Sequence, residues 1–553
     1  MCGIIGGNIF SSKEKIKDGM ISMFHRGTDQ NVLFSLSNEM YLGHNRLSIQ
    51  DLSEKAKQPM ASSCGRYYLV FNGELWKSTF EKFNKELRTK YDFKTKKSDT
   101  ELLLYFLIEY KDNLKVMLRQ IEGMFAFAFY DRQTETLTLS RDFVGRVPLY
   151  YYYDGNKIAF ASEVKGLIYS IDELKYYRIN RNSPKEEKLK EKIKSIPPGT
   201  LFIYKAQPHT FFVGSGEITQ EIWFSFKEDK NSEDYLYVKT EEELSQLVGE
   251  DKGIEHYSTN FKKLLWKAVE DEMIADVPVC TILSGGIDST IITYILAQIN
   301  PNLEAFVVHI GEDTGSKDDL YYARLAAQEI GIKLNEVYVT QEQIEETLDE
   351  SIWACEGYDW RQVSCSVAQL FLAKEVRKRG FKVVFGGEGA DEIFASYNDV
   401  KRWAWHLPVQ YHQKRVNLIN HLHQTNLIRC NKVLMYGGEI ELRTPFMNRE
   451  LVKFGLTIPV IYRDNKQGKG NRMKYVLRKA FENDIKNEEL LWRPKVTMQI
   501  GCHTDFLKSD EWKDILRNKF REMFINEKIP NYFIEEQFRE FKNTITIEEV
   551  EDK

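Results

Sequence analysis

The sequence predicts two domains of different class in tandem, an amino-terminal α+β domain of stacked, mostly antiparallel sheets and a carboxy-terminal α/β domain built on a parallel sheet. Three observations carry this reading. The chain has 553 residues, and since single domains run to about 100–200 residues, one core cannot account for it. Short alternating apolar runs fill the first 205 residues, and strand-then-helix alternation sets in after residue 255.

In order along the chain, residues 67–71, 124–130 and 148–153 are apolar and aromatic runs of strand length. Residues 99–110 carry a helical pattern, with Ser98 placed to cap its amino terminus and Glu101 three positions on. From 206 to 255 the pattern weakens into the glycine-containing stretches 213–216 and 249–253 and a charged run over 227–234, which predicts a linker. Beyond it, apolar strands over 279–283 and 305–310 are followed by helices over 289–299 and 320–330. A further strand, 383–385, follows a helix rich in Lys and Arg, and such alternation argues for a parallel sheet with crossover helices. Past residue 400 the chain reads mainly as helices, and no internal repeat is present.

Seventy-seven Lys and Arg stand against 82 Asp and Glu, a net charge of −5 that offers no basic surface for nucleic acid or anionic membranes. No run approaches the ~18 consecutive apolar residues of a membrane span. The seven cysteines are odd in number and scattered, with no CxxC pair, zinc spacing or secretory leader. A reduced, cytoplasmic enzyme acting on small molecules is the expectation.

Two segments carry chemistry. Removal of Met1 would leave Cys2 with a thiol and a free α-amine, a nucleophile with its own base, because the amine titrates near ~7.7–8.0 and the thiol near ~8.5. Taken alone, Cys2 could equally be a small buried hydrophobe opening an apolar strand. The second segment, Ser284-Gly285-Gly286-Ile287-Asp288-Ser289-Thr290, joins a strand to a helix. A glycine turn at a helix amino terminus is an anion site. With hydroxyls and Asp288 in place of a P-loop lysine, it suits pyrophosphate held with Mg²⁺, and so chemistry at the α-phosphate of ATP.

These segments resemble the glutamine-dependent asparagine synthetase family. Matches continue in order through His25-Arg26-Gly27, Gly43-His44-Asn45-Arg46, Phe71-Asn72-Gly73-Glu74, Ser98-Asp99, Ala161-Ser162-Glu163-Val164-Lys165, Gly387-Glu388-Gly389-Ala390-Asp391-Glu392 and Lys474-Tyr475-Val476-Leu477-Arg478. The resemblance implies a four-layer αββα glutaminase of the amino-terminal-nucleophile (Ntn) hydrolase type, class II, over 1–205. It implies a linker over 206–255 and an ATP pyrophosphatase (PP-loop) synthetase domain with added helices over 256–553. The implied reaction hydrolyses glutamine to ammonia, activates the β-carboxylate of aspartate with ATP and Mg²⁺ as an acyl-adenylate, and amidates it to asparagine with release of AMP and pyrophosphate. A homodimer is compatible with it.

In the first half the resemblance makes Cys2 the nucleophile and the Asn72 side chain and Gly73 N–H the oxyanion donors. Arg46, Asn72, Glu74 and Asp99 would hold glutamine, Arg46 at its carboxylate and the two acids at its ammonium. In the second half Ser284, Gly285, Gly286, Asp288, Ser289 and Thr290 would hold pyrophosphate, and Leu283, Gly386 and Gly387 the rest of the nucleotide. Asp288 and Asp391 would hold Mg²⁺. Lys474 would stabilise the leaving pyrophosphate, and Glu388, where β-lactam-forming relatives have tyrosine, would assist ammonia attack.

The match weakens around the acceptor. Thr28 stands where the family usually has proline. The arginine expected to hold aspartate falls on or near Ser364, with Arg361 three residues away as a candidate replacement. Asn426 and Asn448 replace acidic positions. Losing a carboxylate partner for a substrate ammonium can cost ~1.5–3 kcal/mol, enough to change preference tenfold or more. The alternative is therefore the same machinery acting on another carboxylate, such as a biosynthetic intermediate or sugar acid. A catalytically silent scaffold is a third reading, disfavoured by intact Cys2, Asn72, Asp288 and Glu388.

Overall fold

The computed structural model describes the chain except residues 37–38, 175–191, 207–215, 228–235, 238–252, 398–407, 464–472, 525–540 and 551–553. Close contacts divide it into two units, Met1–Phe224 with Leu348–Val363 and Ser509–Lys553, and Ser225–Thr347 with Ser364–Lys508. The first unit is thus discontinuous in sequence.

That unit contains two sheets. One has seven strands in the order Ile193–Ser195, Tyr150–Tyr153, Ile158–Ala161, Gly3–Gly7, Tyr41–Arg46, Gln30–Leu36 and Ile545–Val550. The other has six, in the order Glu217–Ile222, Thr200–Lys205, Thr136–Arg141, Gly123–Asp131, Tyr67–Leu75 and Met60–Ala61. Helices Lys13–Ser22 and Val164–Ser170 pack on the first sheet, Asp99–Glu109 packs on the second, and the sheets meet through Gly3–Gly7 and Tyr67–Leu75. The layers are therefore αββα. Gly123–Asp131, an inner strand between Thr136–Arg141 and Tyr67–Leu75, is accordingly an apolar run buried through all but its last residue.

Ser98 caps the Asp99–Glu109 helix by accepting from the Glu101 N–H. Glu101 does not return the bond to Ser98. Its carboxylate turns to the N–H groups of Lys94 and Thr95, both at 2.8 Å, and fastens the preceding loop. The carboxy-terminal stretch is not helical throughout. Ile545–Val550 runs parallel to Gln30–Leu36 and closes the edge of the seven-stranded sheet, as its β-branched start, Ile545-Thr546-Ile547, favours. Of the expected linker, Glu217–Ile222 is a strand paired with Thr200–Lys205, and much of the rest lies outside the described residues.

The second unit holds a five-stranded, all-parallel sheet in the order Lys333–Val339, Glu304–Ile310, Val279–Ile282, Val383–Phe385 and Glu441–Arg443. Helices Ile287–Ile299, Asp319–Ile330 and Trp360–Lys378 separate the strands along the chain. The chain first builds outward from Val279–Ile282 in one direction and later from Val383–Phe385 in the other. The switch point lies between these two neighbours, where open α/β sheets bind ligands beyond the strands' carboxyl ends. The seven cysteines are free, and no helix among the described residues is long and apolar enough to cross a membrane.

Candidate active site

Cys2 immediately precedes the Gly3–Gly7 strand, whose Gly3 stands opposite Asn45, so the thiol lies beside the end of the Tyr41–Arg46 strand. The Cys2 N–H donates to Asn72 Oδ1 at 2.7 Å, the Leu47 N–H points at Sγ from 3.5 Å, and Arg26 Nε donates to the Cys2 carbonyl at 2.8 Å. Burial raises the thiol pKa, opposed by the amino-terminal charge, the Leu47 N–H and Arg46. Asn72 Nδ2 makes one long contact, 3.4 Å to Ser162 Oγ, and that hydroxyl also accepts from the Ile4 N–H at 2.9 Å.

Gly73 has φ of +140°, and a Cβ there would sit 2.0 Å from the Met124 carbonyl oxygen, so only glycine lets the strand turn here. Glu74 accepts from the Gln50 amide, and Asp99 Oδ2 accepts from the Leu75 N–H at 3.1 Å. Arg46 donates to Gln30 Oε1 at 2.5 Å and to the carbonyls of Asp51 at 2.6 Å and Ser53 at 3.1 Å. All three are neutral acceptors, which hold the guanidinium in place and leave its charge for a ligand carboxylate. Cys2, Arg46, Asn72, Gly73 and Glu74 thus converge, and Asp99 joins them through Leu75.

Sequence reasoning assigned no role to the support beneath. Glu163, fully buried, pairs with Arg26 at 2.7 Å, His25 at 3.1 Å and Lys165 at 2.5 Å. These residues stood inside matched motifs, but which carboxylate meets which cation is a matter of strand pairing and not of spacing.

In the second unit, all the residues expected to serve the synthetase chemistry except Gly285 and Thr290 line one cleft of about 230 Å³ at the switch point. The Thr290 hydroxyl is buried without a hydrogen-bond partner. Gly387 packs on the other loop so closely that a Cβ would lie 2.8 Å from the Ser289 nitrogen. Ser289 Oγ bonds Ser284 Oγ at 3.2 Å and the Gly286 carbonyl at 3.1 Å, which shapes the turn.

Lys474 lies between two carboxylates, in contact with Asp288 and 2.6 Å from Asp391. Its backbone is left-handed, φ +58°, a conformation that costs a non-glycine residue of order 1 kcal/mol or more and is concentrated at functional sites. Lys495 also reaches Asp391, at 2.5 Å. Burial pushes the Asp391 carboxyl up, but Lys474 and Lys495 outweigh it and hold the group well below the usual carboxylate range. Asp288 retains a buried oxygen without a hydrogen bond. Two carboxylates at a phosphate turn are the hard oxygen donors that Mg²⁺ takes, so the residues fit that ion.

Glu388 points into the same cleft with one oxygen unbonded. Burial raises its pKa, Arg429 opposes, and Asp288 and Asp391 add to the rise. Its neighbour Glu392 is pushed up to about 7 by burial and by Asp391, and it accepts from the Tyr397 hydroxyl at 2.5 Å. Arg493, which the motifs did not single out, ties the Ser284 carbonyl at 2.7 Å to Asp319 at 2.5 Å. The cluster Arg493-Pro494-Lys495 was its only trace in the sequence.

The three acceptor departures have different surroundings. Asn448 caps the Arg449–Leu456 helix, accepting from the Glu450 and Leu451 N–H groups; asparagine caps as well as aspartate, so this substitution is explained by the helix. Asn426 accepts from Arg429 at 3.4 Å. Ser364 is fully buried, whereas Arg361 is exposed and sits 3.6 Å from Asp359.

Residues 1–212 match the family model of a glutamine amidotransferase domain, and residues 260–415 and 408–545 match that of asparagine synthase. Asparagine synthetase B [glutamine-hydrolyzing] of Escherichia coli (strain K12) is 26% identical over 495 residues, covering 87% of this chain and 77% of that protein. The probable asparagine synthetase [glutamine-hydrolyzing] of Schizosaccharomyces pombe is 27% identical over 540 residues, 91% of this chain and 85% of that one. A putative asparagine synthetase [glutamine-hydrolyzing] of Methanocaldococcus jannaschii is 30% identical over 420 residues, 72% of this chain and 76% of that one. With an amidotransferase domain, a synthase domain and relatives matched across most of its length, this chain belongs to the glutamine-hydrolysing asparagine synthetase family.

Proposed function

We propose that the protein is a ligase that makes asparagine from aspartate, glutamine and ATP, with the glutaminase in residues 1–205, the synthetase in 256–553 and 206–255 between them. The observation that carries it is the pairing of two complete sets of groups, one around Cys2 and one around Lys474, each suited to one half-reaction. After removal of Met1, the Cys2 amine would stay on Asn72 Oδ1 and take the thiol proton, and the thiolate would attack the carboxamide of glutamine. Asn72 Nδ2 and the Gly73 N–H would receive the oxyanion, each such donor being worth ~2.7–4 kcal/mol. Arg46 would hold the glutamine carboxylate, with Glu74 and Asp99 at its ammonium.

In the cleft, the Ser284–Thr290 turn would cradle the β- and γ-phosphates while the acceptor carboxylate attacks the α-phosphorus. Lys474 would neutralise charge growing on the departing pyrophosphate. Asp288 and Asp391 would hold Mg²⁺, which when bound supplies further positive charge there. Glu388, whose carboxyl pKa burial pushes up, would exchange a proton with ammonia as nitrogen attacks the acyl-adenylate and AMP leaves. A cytoplasmic location and a homodimer fit this reading.

A second reading, in which another carboxylate replaces aspartate, rests on one observation: the position expected to supply an acceptor-binding arginine is the buried Ser364. One experiment separates the two. The protein is incubated with ATP, Mg²⁺, amide-¹⁵N-glutamine and aspartate, and products are read by mass spectrometry. Labelled asparagine with AMP supports the first reading; labelled ammonia with glutamate and no asparagine overturns it in favour of the second.

A further inference from the structure

Outside both sets of groups, three metal-competent side chains meet beside the nucleotide cleft. His309 comes from the strand Glu304–Ile310, Asp318 caps the helix Asp319–Ile330, and His503 follows the short helix Met498–Gly501. One ligand atom from each lies within 4.8 Å of the other two. We propose that His309, Asp318 and His503 form a binding site for a borderline divalent transition-metal cation of the Zn²⁺ class.

The tautomer of His309 decides the case. Its Nε2 faces the Glu312 carbonyl at 3.2 Å, and because a carbonyl can only accept, Nε2 carries the hydrogen. Nδ1 is then the ring nitrogen left to bind a cation. The ring is 2% exposed, and Nδ1, without a hydrogen-bond partner, faces Asp318 Oδ2 at 3.8 Å. A cation there gives Nδ1 the partner it lacks. A backbone carbonyl on the far nitrogen of a ligating histidine is also the usual outer-shell arrangement.

Asp318 is held in place by the Tyr321 N–H at 3.1 Å and the Ser316 hydroxyl at 2.8 Å. His503 brings Nε2 to 3.2 Å from Asp318 Oδ2 and packs edge-on against His309, with ring centroids 5.5 Å apart. Its backbone is left-handed, φ +64°, and its side chain is half exposed, which leaves a solvent-facing position for a fourth ligand. Two imidazoles and one carboxylate suit Zn²⁺ or Co²⁺ and disfavour Mg²⁺, which wants oxygen donors. The site is therefore chemically distinct from Asp288 and Asp391.

The test is titration of the full-length protein with Co²⁺ in the absence of nucleotide, followed by its visible absorption and by displacement with Zn²⁺. His503→Gly removes a ligand where glycine adopts the backbone without strain, and Asp318→Asn keeps the helix cap; thermal melting of each variant reports folding. The expected result is a saturable nitrogen/oxygen-type spectrum without a thiolate charge-transfer band. Each variant should weaken apparent affinity at least about tenfold. No saturable spectrum, a thiolate band, or binding unchanged in both variants overturns the proposal, the last two placing the cation at cysteines or elsewhere.

Discussion

The side-chain oxygen of Asn72 accepts the backbone N–H of Cys2 at 2.7 Å, joining the residue ahead of the central strand of one sheet to the strand next to the edge of the other. One amide is thereby committed at its oxygen end to orienting residue 2 and left, at its nitrogen end, to face an oxyanion. Asn72→Ala removes both functions. Glutamate release from glutamine should fall ~10²–10³-fold in kcat, while synthesis from added ammonium salts persists. Parallel assays with the two nitrogen sources check this, and equal losses in both would contradict the assignment.

Cys2→Ala should separate the half-reactions completely. Glutamine-driven synthesis should disappear and ammonium-driven synthesis remain. Intact-mass measurement of the wild-type protein should show Met1 removed, since the proposed base is the amine that its removal exposes.

Arg46 is positioned by three neutral acceptors, so its charge is poised for a carboxylate. Arg46→Lys keeps the charge and loses the planar fork. KM for glutamine should rise about tenfold or more, in line with the loss of a charge-assisted hydrogen bond of ~1.5–3 kcal/mol, with little change in the ammonium-driven rate.

Lys474→Met removes the cation between Asp288 and Asp391. Pyrophosphate release should fall by ~10² or more, the scale of one transition-state charge contact. Glutaminase activity measured in the same preparation should be retained.

Glu392 carries the pH signature. Its folded pKa of about 7 lies above the ~4.3 of an unfolded glutamate, so the folded protein holds the proton more tightly. The associated stability is fully present below ~4.3 and is lost as pH rises through about 7, at ~1.4 kcal/mol per pH unit. Glu392→Gln mimics the protonated form and should remove this loss. The Tm of the variant relative to wild type should therefore increase between pH 5 and pH 8. A constant difference would show that Glu392 does not titrate in this window.

Much of this was legible in the chain. Strands over 279–283, 305–310 and 383–385 were readable because a parallel sheet covered on both faces demands continuous apolar runs. The Ser98 cap was readable because it is local, and the family was readable in the segments around Cys2, Asn72 and Ser284–Thr290 because its motifs keep their order along the sequence. The reciprocal half of the Ser98 capping box failed because Glu101 found two N–H groups of a neighbouring loop, a competition that periodicity cannot represent. Ile545–Val550 escaped notice because a short edge strand gains its stability from a partner more than 500 residues earlier.

The class of the two domains and the family were readable from the chain, since composition, local period and motif order belong to it. Folding in three dimensions made Asn448 a helix cap, set Lys474 between Asp288 and Asp391 in a left-handed backbone, and gathered Arg26, His25 and Lys165 around Glu163. Charge and hydrogen bonding act through space over a few ångströms, and which residues come that close is settled by the pairing of strands and the packing of layers.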